Sequence, residues 1–264
     1  MVVAGELMSR TAREHGAEIV PIDSEHSAIH QALRAGNSSE VRRLILTGSG
    51  GPFRTRPLDT FGEIAIEDAL RHPTWKMGPK ITIDSATMMN KGLEILEAHF
   101  LFGVEPSAID VLIHPQSIIH SMVEYCDGSV VAQMARNDMR FPILYALAYP
   151  ERLPNPFGEL SLSGARLEFA EVEPERYPAV GLAREALAEG GAAPAVLNAA
   201  NEVAVEAFLS GKIRFPSIVR IVAETRSAFG RRAAPASVAE AEEIDRQARE
   251  TARQLAFRLS GVRV

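Results

Sequence analysis

From Pro178 onward, prolines and glycines alternate at intervals of a few helical turns, and this punctuation limits the last third of the chain to a set of short helices. Pro178, Pro194 and Pro216 stand where a first helical turn tolerates a missing N–H, while Gly190, Gly211 and Gly230 stand where helices end. Ser237, followed three residues later by Glu240, is a capping box that opens a fourth and longest helix, closed by Gly261. Val196, Ala200, Val203 and Ala207 recur at helical spacing, so helix packs on helix. A four-helix bundle over residues 178–264 is the expected result. Asn198, Asn201 and Glu202 interrupt its apolar stripe, either facing a binding site or satisfied by a helix-to-helix hydrogen bond.

Residues 1–150 read differently, as alternating strand and helix signals expected of an α/β domain built on a mixed sheet. Residues 1–16 form a helix closed by Gly16, and 17–22, AEIVPI, look strand-like. VRRLILTGSGGPFR, at 41–54, is a buried strand emptied into a glycine-rich turn, where Gly48, Gly50 and Gly51 allow close approach and Ser49 can bond a phosphate oxygen. Phe53 occupies the third glycine position of a dinucleotide fingerprint, and no Gly-Lys-Ser/Thr follows, so neither a Rossmann nor a P-loop match survives. Asp127-Gly128 marks a hairpin between SMVEY and SVVAQM. A proline- and glycine-rich connector over 151–177 separates this domain from the bundle.

Three segments carry groups suited to chemistry. In 80–100, Ile81, Thr82 and Ile83 read as a short strand, and Ser85 or Thr87 as a cap for the helix that follows. Asn90, Lys91 and Glu94 fall within one turn near that helix's N-terminus, where free N–H groups favour a phosphate and Glu94 could instead hold a metal. The ordinary alternative is a capped amphipathic helix with a surface ion pair. Asp23 and Glu25 alternate along an extended segment, and with Glu94 they could supply oxygen ligands to Mg²⁺ or Mn²⁺. Alternatively, Asp23 or Ser24 only caps the next helix. Residues 71–79, with two prolines and the only tryptophan, Trp75, form a loop that is either a lid or an anchored crossing.

Composition removes several function classes. With a net charge of −6, nucleic acid and anionic membranes are poor general partners, and any phosphate site must be local. One cysteine, Cys126, excludes an internal disulfide framework and fits a reducing compartment. No apolar stretch reaches the length of a membrane span. The expected location is cytoplasmic, with plastid import left open.

IDSEH, LTGSGGPFR, RHPTWKMG, DSATMMNKGLE and IHPQSIIHSMVEYCDGSVVAQM, in this order, resemble the 1-deoxy-D-xylulose 5-phosphate reductoisomerase family over nearly the whole chain. The resemblance implies a metal (Mn²⁺ or Mg²⁺) at Asp23, Glu25 and Glu94. It implies a substrate contact at Ser24, phosphate contacts at Ser49, His72, Ser85, Asn90 and Lys91, a lid holding Trp75 and Met77, and a nicotinamide neighbour in Met139. Ser24, Glu25 and His26 are the catalytic candidates, although His26 and His120 at the edge of the site could equally be structural, and His114 reads as structural. The implied reaction is retroaldol and aldol rearrangement of a ketose phosphate, followed by reduction with NADPH, in a homodimer. Family members open with a Rossmann-type domain, whereas residues 1–16 read as the helix after it. The chain is therefore expected to be the catalytic and C-terminal part, needing a separate NADPH-binding domain. Its rival is a fragment that holds metal and sugar phosphate without turnover.

Overall fold

The computed structural model describes residues 1–75 and 77–260. Gly261, expected to close the last helix, lies outside them. In chain order the elements are α1 (Gly5–Glu14), α2 (Ser24–Ala32), β1 (Val41–Gly48), α3 (Ile66–Ala69), α4 (Pro79–Thr87), α5 (Met89–Phe102), β2 (Ile109–Ile113), β3 (Ile119–Tyr125), β4 (Val130–Met134), α6 (Arg140–Ala148) and β5 (Ala170–Glu171). Four helices follow, α7 (Pro178–Glu189), α8 (Ala193–Leu209), α9 (Phe215–Phe229) and α10 (Val238–Leu259).

The sheet is mixed, in the order β4-β3-β1-β2-β5, with β1 and β2 parallel and the other pairs antiparallel. Every residue of β3 is buried, as are the last five of β1, so the centre of the sheet is covered on both faces. The expected hairpin is β3–β4, with Gly128 at φ 85 in its turn. Four helices also form where the punctuation placed them, and Ser237 caps α10 by accepting from the Glu240 amide.

Two local expectations fail. Residues 81–83 are helical, inside α4, because Pro79 pre-sets the first turn and Thr82, Ile83, Ala86 and Thr87 share a buried helical face. A run of three β-branched residues is too short to outweigh that burial. Met88, at φ 59, then breaks the axis and starts α5; its flanking residue Thr87, not Ser85, supplies the hydroxyl that accepts from the Met89 amide at 3.3 Å. Residues 17–22 are not a strand and pair with no other segment among the described residues; Ile19 and Ile22 are exposed.

One apolar cluster runs from Ile29, Leu44 and Leu46 through Ile83, Ile95 and Leu96 to Leu197, Phe208 and Ile218. Each such fully buried side chain contributes about 1.5–3 kcal/mol relative to exposure. Helix α7 lies against α5, where Gly92 permits the approach: a Cβ there would stand 2.8 Å from the Ala183 Cβ. The bundle therefore backs the helix that carries Asn90, Lys91 and Glu94.

Candidate functional site

Strand β1 ends at Gly48, and the chain turns through Ser49, Gly50 (φ 79) and Gly51 (φ 64). The turn is held from behind. The buried Tyr177 hydroxyl donates to the Gly50 carbonyl at 2.7 Å, and the Arg176 guanidinium donates to the Phe53 and Arg56 carbonyls at 3.1 and 2.6 Å. A Cβ on Gly51 would meet the Ser85 carbonyl at 2.7 Å, so glycine lets this turn press against α4. Ser49 and Ser85 are thereby brought to either side of His72, whose Nε2 lies 3.1 Å from Ser49 Oγ and 3.0 Å from Ser85 Oγ. Burial, and then the Lys91 charge, hold the His72 imidazole below its ordinary pKa. Its Nδ1 accepts from the Thr74 and Trp75 amides at 3.2 and 2.9 Å, so the neutral ring carries its proton on Nε2, toward the two hydroxyls.

Facing this hydroxyl–imidazole group is a carboxylate cluster. Asp23 caps α2 by accepting from the Glu25 amide at 3.0 Å, which puts Glu25 in the first turn of α2 and not on an extended strand. Asp23 thus serves as the helix cap while its carboxylate still stands with those of Glu25 and Glu94. Glu94 rises from α5, almost fully buried, and one carboxylate oxygen from each of Asp23, Glu25 and Glu94 lies within 4.8 Å of the others. Lys91 Nζ bridges Glu25 and Glu94, 2.5 Å from Glu25 Oε1 and 2.7 and 2.6 Å from the two Glu94 oxygens. The Asn90 amide also donates to Glu94 Oε1. Asn90 and Lys91, expected to serve phosphate, are therefore turned onto the carboxylates. Ser24 Oγ donates to Glu25 Oε2 at 2.5 Å.

Electrostatics follow from this crowding. Burial, joined by the Glu25 charge, pushes the Glu94 carboxyl well up against the opposing pull of Lys91. For Lys91 burial works against the charged form, but Glu25 and Glu94 outweigh it and keep the ammonium protonated. For Asp23 burial alone would raise the carboxyl, yet the hydrogen bond and charge of His26, with Lys91, hold it well below the usual range. His26 itself is pushed up to about 9, the Asp23 partnership overcoming burial.

The hydroxyl–imidazole group, Asp23 and Glu25 line one cavity of about 250 Å³, together with Trp75, Met77, Ile81, Ser117 and Met139. A larger cavity of about 520 Å³ beside β2 is lined by Arg43, Asp110, Glu171, Tyr177 and Arg184, but Arg43 and Asp110 are engaged with each other at 2.6 Å and the Tyr177 hydroxyl is committed to the Gly50 carbonyl. Of the residues expected from the sequence, Asp23, Ser24, Glu25, Ser49, His72, Trp75, Met77, Ser85, Asn90, Lys91 and Met139 line the smaller cavity, with Glu94 directly beneath. His26 does not. It sits behind the carboxylates, Nε2 3.0 Å from the Glu94 carbonyl and Nδ1 3.5 Å from Asp23, which is a positioning place. His120 is buried against Trp75, ring centroids 6.3 Å apart. His114 is structural: its Nε2 accepts from the Ile118 and Ile119 amides and its Nδ1 donates to the Glu168 carbonyl. Asn201 makes a helix-to-helix bond, its amide donating to Asp84 Oδ1 at 2.8 Å.

Sequence reasoning missed Ser117, Ile81 and the clamp formed by Arg176 and Tyr177. Ser117 enters the cavity from a turn at φ 51, for which its local sequence carries no signal.

Residues 19–102 match the family described as 1-deoxy-D-xylulose 5-phosphate reductoisomerase C-terminal domain, and residues 134–251 the DXP reductoisomerase C-terminal domain. A 1-deoxy-D-xylulose 5-phosphate reductoisomerase of Chlorobium chlorochromatii (strain CaD3) is 52% identical over 254 residues, covering 96% of this chain and 66% of the relative. Among solved structures, the reductoisomerase from Zymomonas mobilis in complex with NADPH superposes with a TM-score of 0.91 at 47% identity, covering 97% of this chain and 66% of that one. A DOX-P reductoisomerase in complex with NADPH, fosmidomycin and magnesium gives 0.89 at 40% identity, covering 99% of this chain and 69% of that one. The chain spans about two thirds of the length of the curated relatives it matches.

Proposed function

Because this chain belongs to the 1-deoxy-D-xylulose 5-phosphate reductoisomerase family, we propose that its cavity is the metal- and substrate-binding centre of an enzyme that rearranges 1-deoxy-D-xylulose 5-phosphate and reduces the product with NADPH to 2-C-methyl-D-erythritol 4-phosphate. One observation carries this reading: of three carboxylates within 4.8 Å of one another, Asp23 and Glu25 face a His72–Ser49–Ser85 cluster across a single 250 Å³ cavity, with Glu94 held against its lining by Asn90 and Lys91. A sugar phosphate needs both ends, a cation for its adjacent oxygens and donors for its phosphate.

The donor set at Asp23, Glu25 and Glu94 is entirely carboxylate oxygen, which fits Mg²⁺ or Mn²⁺. When bound, such a cation acts as a Lewis acid and template for charge developing on substrate oxygens. The chain's own residues do the rest. Ser24 stands at the metal ligands to contact the substrate oxygens, and His26 holds the Asp23 carboxylate and the Glu94 backbone carbonyl in register from behind. The Nε2 proton of His72 and the Ser49 and Ser85 hydroxyls point into the phosphate end. Phosphate binding, remote from the reacting carbons, aligns the substrate and supports closure of the 71–79 loop, whose Trp75 and Met77 exclude water. Met139 borders the open side, where the nicotinamide would approach.

The same reading takes 1–150 as the catalytic domain, 151–177 as the connector and 178–264 as the bundle, with NADPH held by a dinucleotide-binding domain outside these residues. A homodimer belongs to it, supported by the exposed apolar residues Leu147, Leu153 and Leu162 around the connector. A cytoplasmic location fits it, and among the described residues no helix is long and apolar enough to cross a membrane.

The test is to assay the 264 residues alone and fused behind the N-terminal third of a family member. The fusion should oxidise NADPH only when both the ketose phosphate and Mg²⁺ or Mn²⁺ are present, and the chain alone should not. A fusion that folds, binds NADPH and yet turns over nothing would leave a metal and sugar-phosphate binding module as the function.

A further inference from the structure

The ammonium that the phosphate end would call on is held at the metal end. Lys91 is 5% exposed, its Nζ lies 2.5–2.7 Å from Glu25 and Glu94, and among the described residues it is the only lysine or arginine lining the cavity. Its stem crosses the end of β1, where a Cβ on Gly48 would stand 2.9 Å from Lys91 Cε, next to Ser49. The Lys91 charge is already felt at His72, between Ser49 and Ser85.

We propose that Lys91 is a cation shared between the two ends of the cavity. A divalent ion taken up by Asp23, Glu25 and Glu94 displaces its ammonium toward Ser49 and His72, so metal and phosphate bind with positive cooperativity. The inference rests on the metal and phosphate assignments above. A divalent cation ligated at about 2.0–2.2 Å by these oxygens needs the lone pairs that Lys91 now occupies, and an ammonium on the same oxygens would be strongly repelled. Buried as it is, the displaced side chain stays within the cavity, and the hydroxyl–imidazole cluster beside its stem is where a phosphate would receive it. Before displacement, a phosphate dianion would face three carboxylates with its cation turned away. Asn90, whose amide is also engaged by Glu94, is released by the same event. The carboxylates exchange one cation for another, and the released ammonium becomes available to the phosphate.

Calorimetry on the 264-residue chain tests this with Mg²⁺ and glycerol 3-phosphate as probes. Wild type should bind the ester about tenfold or more tightly at saturating Mg²⁺ than without it, and Mg²⁺ should gain by the same factor from the ester. Direct metal–phosphate attraction has the same sign, so Lys91→Met decides. That variant should bind Mg²⁺ at least as tightly as wild type, since a competing cation is gone, and its ester affinity should change by less than about twofold with Mg²⁺. Glu94→Gln gives a second readout if Lys91→Met does not fold: with one clamp neutral, the ester should bind more tightly in the absence of Mg²⁺. Cooperativity retained in Lys91→Met, Mg²⁺ affinity lost in it, or ester affinity unraised in Glu94→Gln overturns the shared cation and leaves the metal assignment standing. Failure of wild type to bind Mg²⁺ overturns both.

Discussion

Glu94 carries three demands on one side chain: it is nearly fully buried, it pairs with Lys91, and it completes the carboxylate trio. A buried carboxylate is maintained only while something positive satisfies it. Glu94→Gln keeps the shape and removes the charge, and the affinity of an oxygen-ligand site follows its charge count, so Mn²⁺ binding should weaken by roughly tenfold or more. Calorimetric titration checks this, and unchanged affinity would move the metal elsewhere. At this scale the sequence is readable where chemistry is spelled in residue types. Ser49 is informative because a hydroxyl within a glycine-rich turn suits a close-approaching anion, whereas Asp23, Glu25, Glu94 and Ser85 also suit helix caps and ion pairs and gain weight only as a set. Tyr177 was not readable, since it acts through a hydroxyl donated to a carbonyl 127 residues away.

Helices α4 and α5 show what local patterning settles and what packing overrides. The β-branched run at 81–83 points to a strand, yet Pro79 and a buried helical face make it helix, and this turns Ser85 toward His72. Next to it, α5 can lie close to α7 only because residue 92 is glycine. Gly92→Ala should lower stability by roughly 1–3 kcal/mol through overpacking, set against about 1 kcal/mol of helix propensity gained. The urea midpoint should fall, and Ala183→Gly in the same chain should recover it; a midpoint that rises in Gly92→Ala would mean that the helices yield freely. The 71–79 loop offers a different measurement. Trp75 is the chain's only tryptophan and packs near His120, so its emission reports on this loop. A hydroxamate phosphonate added with Mn²⁺ should shift that emission, and a constant spectrum alongside calorimetric binding would identify a fixed loop.

Across the whole molecule, the bundle and the sheet domain share one apolar cluster and are tied by a polar contact at its heart. Asp84, one residue before Ser85, receives the Asn201 amide at 2.8 Å and Lys80 at 2.6 Å. Asp84→Ala would strand the Asn201 amide, whose oxygen already has no protein partner, and should cost roughly 2–4 kcal/mol by denaturant unfolding. Burial, outweighing Lys80 and Asn201, leaves the Asp84 carboxyl above its ordinary value of 3.8. In the window just above that value the native chain retains a proton the unfolded chain has released, so this group's contribution to stability is full below 3.8 and falls as pH rises through the window. Asp84→Asn should flatten that part of the urea midpoint–pH curve, and an unaltered curve would show that Asp84 titrates normally. The sequence by itself determined the α/β-then-bundle order, the hairpin, the four C-terminal helices and most of the site's residue types, because periodicity, proline, glycine and capping act over a few residues. Only the tertiary structure decided that 81–83 coil into helix, that Tyr177 and Asn201 brace the site from the far end of the chain, and that Lys91 faces carboxylates before phosphate. Those outcomes depend on which groups burial brings together and on the charges they must then satisfy, and neither is written in local spacing.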